Sequence, residues 1–385
     1  MTPLSSKVPS SIRPTPKRTR ITAESESETD APQNVKGLPP IPDEGVECAL
    51  HIVDRQEAEL EEALSRMERV SIKEVRSVHL SERLETVGSA CWKLTNFTMD
   101  EVQDLSDLVA PALQTGSIGR PPSINVLDSV ILVLIKLKSD AATEQISRMF
   151  HFSTNTVVRA IERTMGALHD ALMAQHVAHM PRPKPLGGKV RDIALIVDTT
   201  FFRCPKPCGD FRNAKAAFNP HKHCYCVKKE VAVQAEKPHL ALFWTPAEPG
   251  SMADRAIFLK YHRQYLPYVN KTSIERRFLP ESDEPTWALI GDAAYYRRVS
   301  DTPQIRMIGV AKRSTQLTEE ELEVNLDIKP KRVAVERFFG RLKTLWAICR
   351  NVYKYEIKRI DVPINLCILL TNHHIKTREL TSKDR

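Results

Sequence analysis

Between Leu127 and Leu168 apolar residues recur at helical spacing in three successive stretches. Leu127, Ile131, Leu134, Ile135 and Leu137 predict a buried helix, Ile146, Met149 and Phe150 a short one, and Val157, Val158, Ile161, Met165 and Leu168 a longer one. His151 and Phe152 supply the turn between the last two, and Ser153 stands where an N-cap is wanted. A short helix, a tight turn and a longer helix are the layout of a helix-turn-helix, whose last helix offers its N-terminal residues to a DNA major groove. Thr154, Asn155, Arg159 and Arg163 are then the DNA-facing set. A plain helical bundle satisfies the same apolar pattern.

Upstream, Leu60, Leu64 and Met67 mark an amphipathic helical segment within 45–88, able to pair with another helix of this chain or of a second copy. Residues 1–44 are rich in Ser, Thr, Pro and charge and predict a disordered tail. Its Lys17, Arg18 and Arg20 resemble a nuclear-import signal and point to the nucleus. Segment 181–190, with Pro181, Pro183, Pro185, Gly187 and Gly188, has no periodicity and predicts a linker. It separates a helical region at 89–180 from a catalytic region at 191–385.

Past the linker the pattern changes from helical to mixed. Ile193 to Val197 and Trp287 to Ile290 are short apolar runs typical of strands buried on both faces, ending at Asp198 and, after Gly291, at Asp292. Segments 223–234 and 240–244 read as further strands and 254–266 as a helix. If the two runs share a sheet, their aspartates emerge at one edge, where catalytic groups of α/β folds collect. Carboxylates gathered there repel one another unless a divalent cation holds them, and hard oxygen ligands suit Mg²⁺ or Mn²⁺. Arg332 to Cys349 is the strongest helical pattern, with Arg332, Glu336, Gly340 and Lys343 on the flank of its apolar stripe. Glu336 there is either a third metal ligand or a surface acid paired with Arg332.

The balance of 56 Lys+Arg against 48 Asp+Glu gives a formal charge of +8, which suits a polyanionic partner such as duplex DNA. The longest apolar run, Val130 to Ile135, is far short of the ~18 residues a membrane span requires, so no membrane partner is expected. Eight Cys at spacings unlike a small disulfide framework point to a reducing compartment. Cys204, Cys208, His221, His223, Cys224 and Cys226 contain enough soft ligands for zinc, but their spacing is unusual and they read as strand and loop residues.

The strings VDTTFF at 197–202, GSMAD at 250–254, GDAAYYRR at 291–298 and RVAVERFFGRLK at 332–343 resemble, in order and spacing, the DDE endonuclease domain of PIF/Harbinger-type transposases. WKLTNFTMDEVQDL at 92–105 and the segment from Ile124 to Arg159 are similar to the helix-turn-helix region ahead of that domain, and NLCILLTNH resembles its closing helix. The resemblance implies an α/β fold: an RNase H-like mixed sheet flanked by helices, preceded by an all-α helix-turn-helix region. Asp198, Asp292 and Glu336 align with the family's catalytic acids, and Asp254 is a candidate accessory carboxylate. Implied with them are two divalent cations per site, phosphate contacts from Arg332, Arg341 and Lys343, cleavage at DNA ends with strand transfer, a homo-oligomer such as a dimer, and a Myb-like helper protein. Two positions depart from the pattern: Thr199 stands where the family usually has Gly, and Ala253 where it often has His. These departures keep a rival reading in play, a domesticated DNA-binding regulator that no longer cleaves.

Overall fold

The computed structural model describes residues 80–86, 89–114, 123–179, 192–208, 211–278, 285–295, 304–309 and 316–384. The predicted tail with Lys17, Arg18 and Arg20, the residues Leu60, Leu64 and Met67, and the 181–190 linker lie outside the described residues. The helical part comprises α1 (Leu80–Thr86), α2 (Ala90–Thr95), α3 (Met99–Gln114), α4 (Val126–Ser139), α5 (Thr143–Met149) and α6 (Thr154–Ala178). Then follow β1 (Ile193–Arg203), α7 (Phe211–Ala217), β2 (Phe218–Asn219), β3 (Cys224–Gln234), β4 (Ala241–Trp244) and β5 (Glu248–Pro249). After these come α8 (Asp254–Tyr261), a 3₁₀ turn (His262–Tyr265), α9 (Leu266–Val269), α10 (Ser273–Phe278), β6 (Ala288–Gly291) and β7 (Arg306–Gly309). The chain closes with α11 (Glu319–Leu345), α12 (Ala347–Arg350) and α13 (Asp361–Thr377).

α4 is the centre of the helical part because its sequence is apolar almost all round. Val130 to Ile135 are each at most 1 % exposed, so neighbours must surround the helix. α2, α3, α5 and α6 pack against it. Asn125 caps its start by accepting from the Asp128 amide at 2.6 Å, and Asp140 ends it in the left-handed region at φ 53°. The Asp128 carboxylate in turn accepts from the amides of Leu80 and Ser81 at 3.2 and 2.9 Å, which ties down the first turn of α1. The predicted short helix, turn and long helix are present as α5, residues 150–153 and α6. Ser153 caps α6 by accepting from the Thr156 amide.

The sheet is mixed, with the order β2-β3-β1-β6-β7 and with β4 and β5 also paired to β3. β3 runs antiparallel to β1, β4 and β5, whereas β1, β6 and β7 are mutually parallel. β1 does not stop at Asp198 as the apolar run predicts: it continues to Arg203, paired with β3 through Arg203↔Cys226. The reason lies on its other side. Pairing with β6 ends at Ile196↔Ile290, whereas pairing with β3 begins at Leu195↔Gln234 and carries on alone, so polar residues begin soon after the β6 neighbour leaves.

α11 packs on β1, β3 and β6, α12 on β1 and α4, and α13 on β4 and α6. The buried residues of helices and sheet form one continuous core cluster, and every described residue falls within the unit Arg55–Arg385. α11 begins well before the predicted Arg332, because a capping box at Thr318 and Glu321 starts it and it runs through Pro330. Trp346 then interrupts the expected stripe, with φ −124° and ψ 103°, so Cys349 belongs to α12. No described helix is long and apolar enough to cross a membrane.

Candidate active site

Asp198 and Asp292 sit at one level of the sheet. Ile196 pairs with Ile290 in the parallel β1–β6 ladder, so advancing two residues along each strand reaches both acids together. Asp292 follows the last residue of β6 and opens a turn: its Oδ1 accepts from the Ala294 amide at 2.7 Å, and its carbonyl from the Tyr295 amide at 3.1 Å. Asp198 accepts from the Thr199 amide at 2.8 Å. Burial pushes the Asp198 carboxyl up to about 6, and the Thr199 amide and the charge of Arg332 oppose that rise. The nearby charges of Asp292 and Asp254 add to it. Three acids thus act on one another at the edge where parallel strands end, the expected place for chemistry in an α/β fold.

Asp254 starts α8 behind Ala253, which makes no side-chain cap. Its Oδ1 pairs with Lys228 Nζ at 2.9 Å, so this acid is already partly compensated. Glu336 lies on α11 one turn beyond Arg332, and its side chain is exposed. Among the described residues no group of three or more His, Cys, Asp or Glu stands close enough to hold a metal ion. The donor chemistry of Asp198 and Asp292, hard oxygens with unbalanced negative charge, fits Mg²⁺ or Mn²⁺, and the matching register brings these two to one level of the sheet. The Cys204, Cys208, His221, His223, Cys224 and Cys226 string likewise forms no such group among the described residues.

The basic residues of α11 part ways. Arg332 is near enough to Asp198 to oppose its rise, and its buried Nε has no partner among the described residues. Lys343 lies over the Phe201 ring, 4.7 Å from its centroid, with Lys222 at 5.8 Å from the same ring. Burial depresses the Lys343 ammonium; Lys222 and Arg203 add to this, while Asp198 opposes it. Arg341 turns the other way. It forks onto Asp384, meets His374 Nδ1 at 3.1 Å, and donates to the carbonyls of Arg378 and Glu379 at 3.0 and 3.2 Å. A guanidinium has five donors, and all are used inside the protein.

On the helical part, Asn155, Arg159 and Arg163 are exposed near the start of α6, and Thr154 is half-buried with its hydroxyl 3.0 Å from Ser147 Oγ. Arg163 donates to the Leu113 carbonyl, which fixes it toward α3. The sequence pattern gave no prominence to Glu230, Tyr265 and Tyr295. Glu230, opposite Thr199 in the β1–β3 ladder, is fully buried and its carboxyl is pushed up to about 8 by that burial. The signal was the charged string Lys228-Lys229-Glu230 inside an otherwise apolar strand, where unexplained charge calls for a partner.

Residues 197–372 match a family model described as DDE superfamily endonuclease. The match supports the DDE superfamily. It begins one residue before Asp198 and takes in Asp254, Asp292 and Glu336. No curated protein and no solved structure matches the chain. A DDE superfamily endonuclease domain suggests a transposase-type nuclease.

Proposed function

We propose that the chain is a DNA transposase or endonuclease of the PIF/Harbinger type that cleaves DNA at element ends and transfers strands, with Asp198, Asp292 and Glu336 as its catalytic acids. The observation that carries this reading is the shared register of Asp198 and Asp292 on adjacent parallel strands, with the Asp198 carboxyl raised by burial and by its acidic neighbours. A mixed sheet with β1 between an antiparallel and a parallel neighbour supports the RNase H-like reading.

Two divalent cations, Mg²⁺ or Mn²⁺, would be held by Asp198 and Asp292, with Glu336 as third ligand, and would supply Lewis acidity and charge neutralisation at phosphorus. The chain's residues do the rest. Arg332 and Lys343 flank Asp198 and place positive charge where a phosphate would lie. Tyr295 holds the turn that aims Asp292. The helix-turn-helix formed by α5 and α6 would grip duplex DNA through Asn155, Arg159 and Arg163, with Thr154 at the helix start. Nuclear location, a dimeric state and a Myb-like helper complete the proposal.

A second reading, the non-catalytic regulator, is favoured by one observation: Glu336 is exposed and no three-ligand group forms among the described residues. Cleavage of a terminal-repeat duplex in Mg²⁺ or Mn²⁺ separates the two. The wild type is expected to cleave, and Asp198→Asn, Asp292→Asn and Glu336→Gln each to lose at least ~10³-fold without losing duplex affinity. Equal cleavage by wild type and Asp292→Asn sinks the triad. No cleavage by either, with the helper present, makes the chain a regulator.

A further inference from the structure

Glu230 sits in the middle of β3 with no side-chain exposure, flanked by buried strand residues. A buried acid commonly meets a cation, as Asp192 meets Lys271 in this protein. Glu230 meets two phenols instead. Tyr265 Oη donates to Oε1 at 2.6 Å and Tyr295 Oη to Oε2 at 2.8 Å. Its main-chain amide donates to Thr245 Oγ1 at 3.0 Å, so the residue is anchored at backbone and side chain alike.

The two tyrosines belong to the segments that carry the other acids. Tyr295 closes the turn that Asp292 opens, donating its amide to the Asp292 carbonyl at 3.1 Å. Its ring lies so close over Gly291 that a Cβ there would meet ring carbon Cδ2 at 2.7 Å. Tyr265 ends the 3₁₀ turn that continues α8, whose first residue is Asp254. Phe258 of α8 bridges the two rings, 5.5 Å from Tyr265 and 5.9 Å from Tyr295. Thr199, next to Asp198 and opposite Glu230 in the ladder, closes the circuit with its Oγ1 3.2 Å from Tyr295 Oη. One carboxylate on β3 therefore reaches the segments of Asp292 and Asp254 and faces the neighbour of Asp198.

We propose that Glu230 is a positioning residue: through Tyr295 and Tyr265 it fixes the Asp292 turn and the α8 segment against β1, so that the acids converge before any cation or DNA arrives. The inference rests on reading Asp198 and Asp292 as metal ligands. Groups that orient ligands in this way commonly set metal affinity by ~10- to 100-fold. Thr199 takes a part that the sequence comparison casts as a departure, because its hydroxyl is one of the contacts of Tyr295.

The test uses the full chain with Tyr295→Phe, which deletes one hydroxyl and keeps the ring, and Glu230→Gln, which keeps the shape and one acceptor. Mn²⁺ binding is measured by titration calorimetry, and amide hydrogen exchange by peptide. The expected result for Tyr295→Phe is Mn²⁺ binding weakened about tenfold. Exchange should quicken across 288–295 and stay at the wild-type rate in α4, with Glu230→Gln intermediate in both. Wild-type Mn²⁺ binding and wild-type exchange in both variants overturn the inference, and so does exchange quickened evenly across the protein, the mark of a general packing role. If the wild type itself binds no Mn²⁺, the metal-ligand reading falls, and local exchange at 288–295 alone then decides whether Glu230 positions the turn.

Discussion

The apolar run Ile193–Val197 has an aspartate at each end, in opposite electrostatic surroundings. Asp192, before the run, is buried and paired with Lys271 Nζ at 2.9 Å, and that ammonium also lies 4.7 Å from the centroid of the Trp287 ring. Asp198, after it, is desolvated and faces Asp292 and Asp254, with Arg332 as opposing charge. Other acids follow the Asp192 pattern: Asp361 meets Lys229, Asp384 meets Arg341, and Glu101 takes a forked Arg378. A sequence able to neutralise acids in these places leaves a surplus at one strand end. Such a surplus costs stability and is what a cation-binding site requires.

The largest contrast should come from matched amide substitutions at the two ends. Asp192→Asn deprives the buried Lys271 of its carboxylate and should cost ~3–5 kcal/mol in urea unfolding. Asp198→Asn replaces an already disfavoured charge by a neutral group of the same shape, so stability should hold or rise while DNA cleavage disappears. Should Asp198→Asn destabilise as much as Asp192→Asn, the two ends are alike and the surplus-charge argument fails.

Much of this contrast was legible in the sequence. The apolar runs ending at Asp198 and Asp292 announced two buried strands, and the structure joins them in one ladder at matching level. α6 was visible because a buried face repeats every three to four residues, and α4 because its mainly apolar stretch is too long for a buried strand. Less was legible where geometry depends on distant partners. β1 runs on to Arg203 because β3 alone continues beside it, which no local pattern reveals. The start of α11 was hidden by Pro330, although Thr318 and Glu321 spelled a capping box. Arg341 looked like a phosphate contact from its place in RVAVERFFGRLK, yet Asp384, far along the chain, takes its fork. The string Lys228-Lys229-Glu230 announced only that a buried charge needs a partner; the partners Tyr265 and Tyr295 are distant in sequence and come together only in the fold.

The site should also give the protein a distinctive dependence on pH. The Glu230 carboxyl stands at about 8 in the folded chain against an ordinary 4.5, and that of Asp198 at about 6 against 3.8. Between each pair of values the folded state holds a proton that the unfolded state has released, so raising the pH favours unfolding. Metal-free stability should therefore decline from Asp198 between pH about 4 and 6, and from Glu230 between about 4.5 and 8. Glu230→Gln cannot release a proton, so its unfolding free energy should fall less than the wild type's between pH 5 and pH 8. Parallel pH profiles for the two proteins would show that Glu230 is ionised in the fold and that burial does not hold its proton.

The opposite slope, and a smaller one, is expected where the helical part meets α13. His374 is buried there beside Trp92 and Phe97, 5.8 and 5.9 Å between ring centroids, and its Nδ1 lies 3.1 Å from Arg341 Nη1. Burial, with Arg341 and Arg378 adding to it, pulls the imidazole down to about 4 from an ordinary 6.5. Between those values the unfolded chain takes up a proton that the folded chain refuses, so stability is lost as the pH falls through this window. This displacement is smaller than that of Glu230, and the pH slope should be correspondingly smaller. NMR of the His374 ring should show it neutral at pH 5, with unfolding free energy lower at pH 5 than at pH 7. A ring that titrates near 6.5 would mean that a proton enters beside two arginines without penalty, and the distinction between a junction weakened by acid and a site weakened by alkali would be lost.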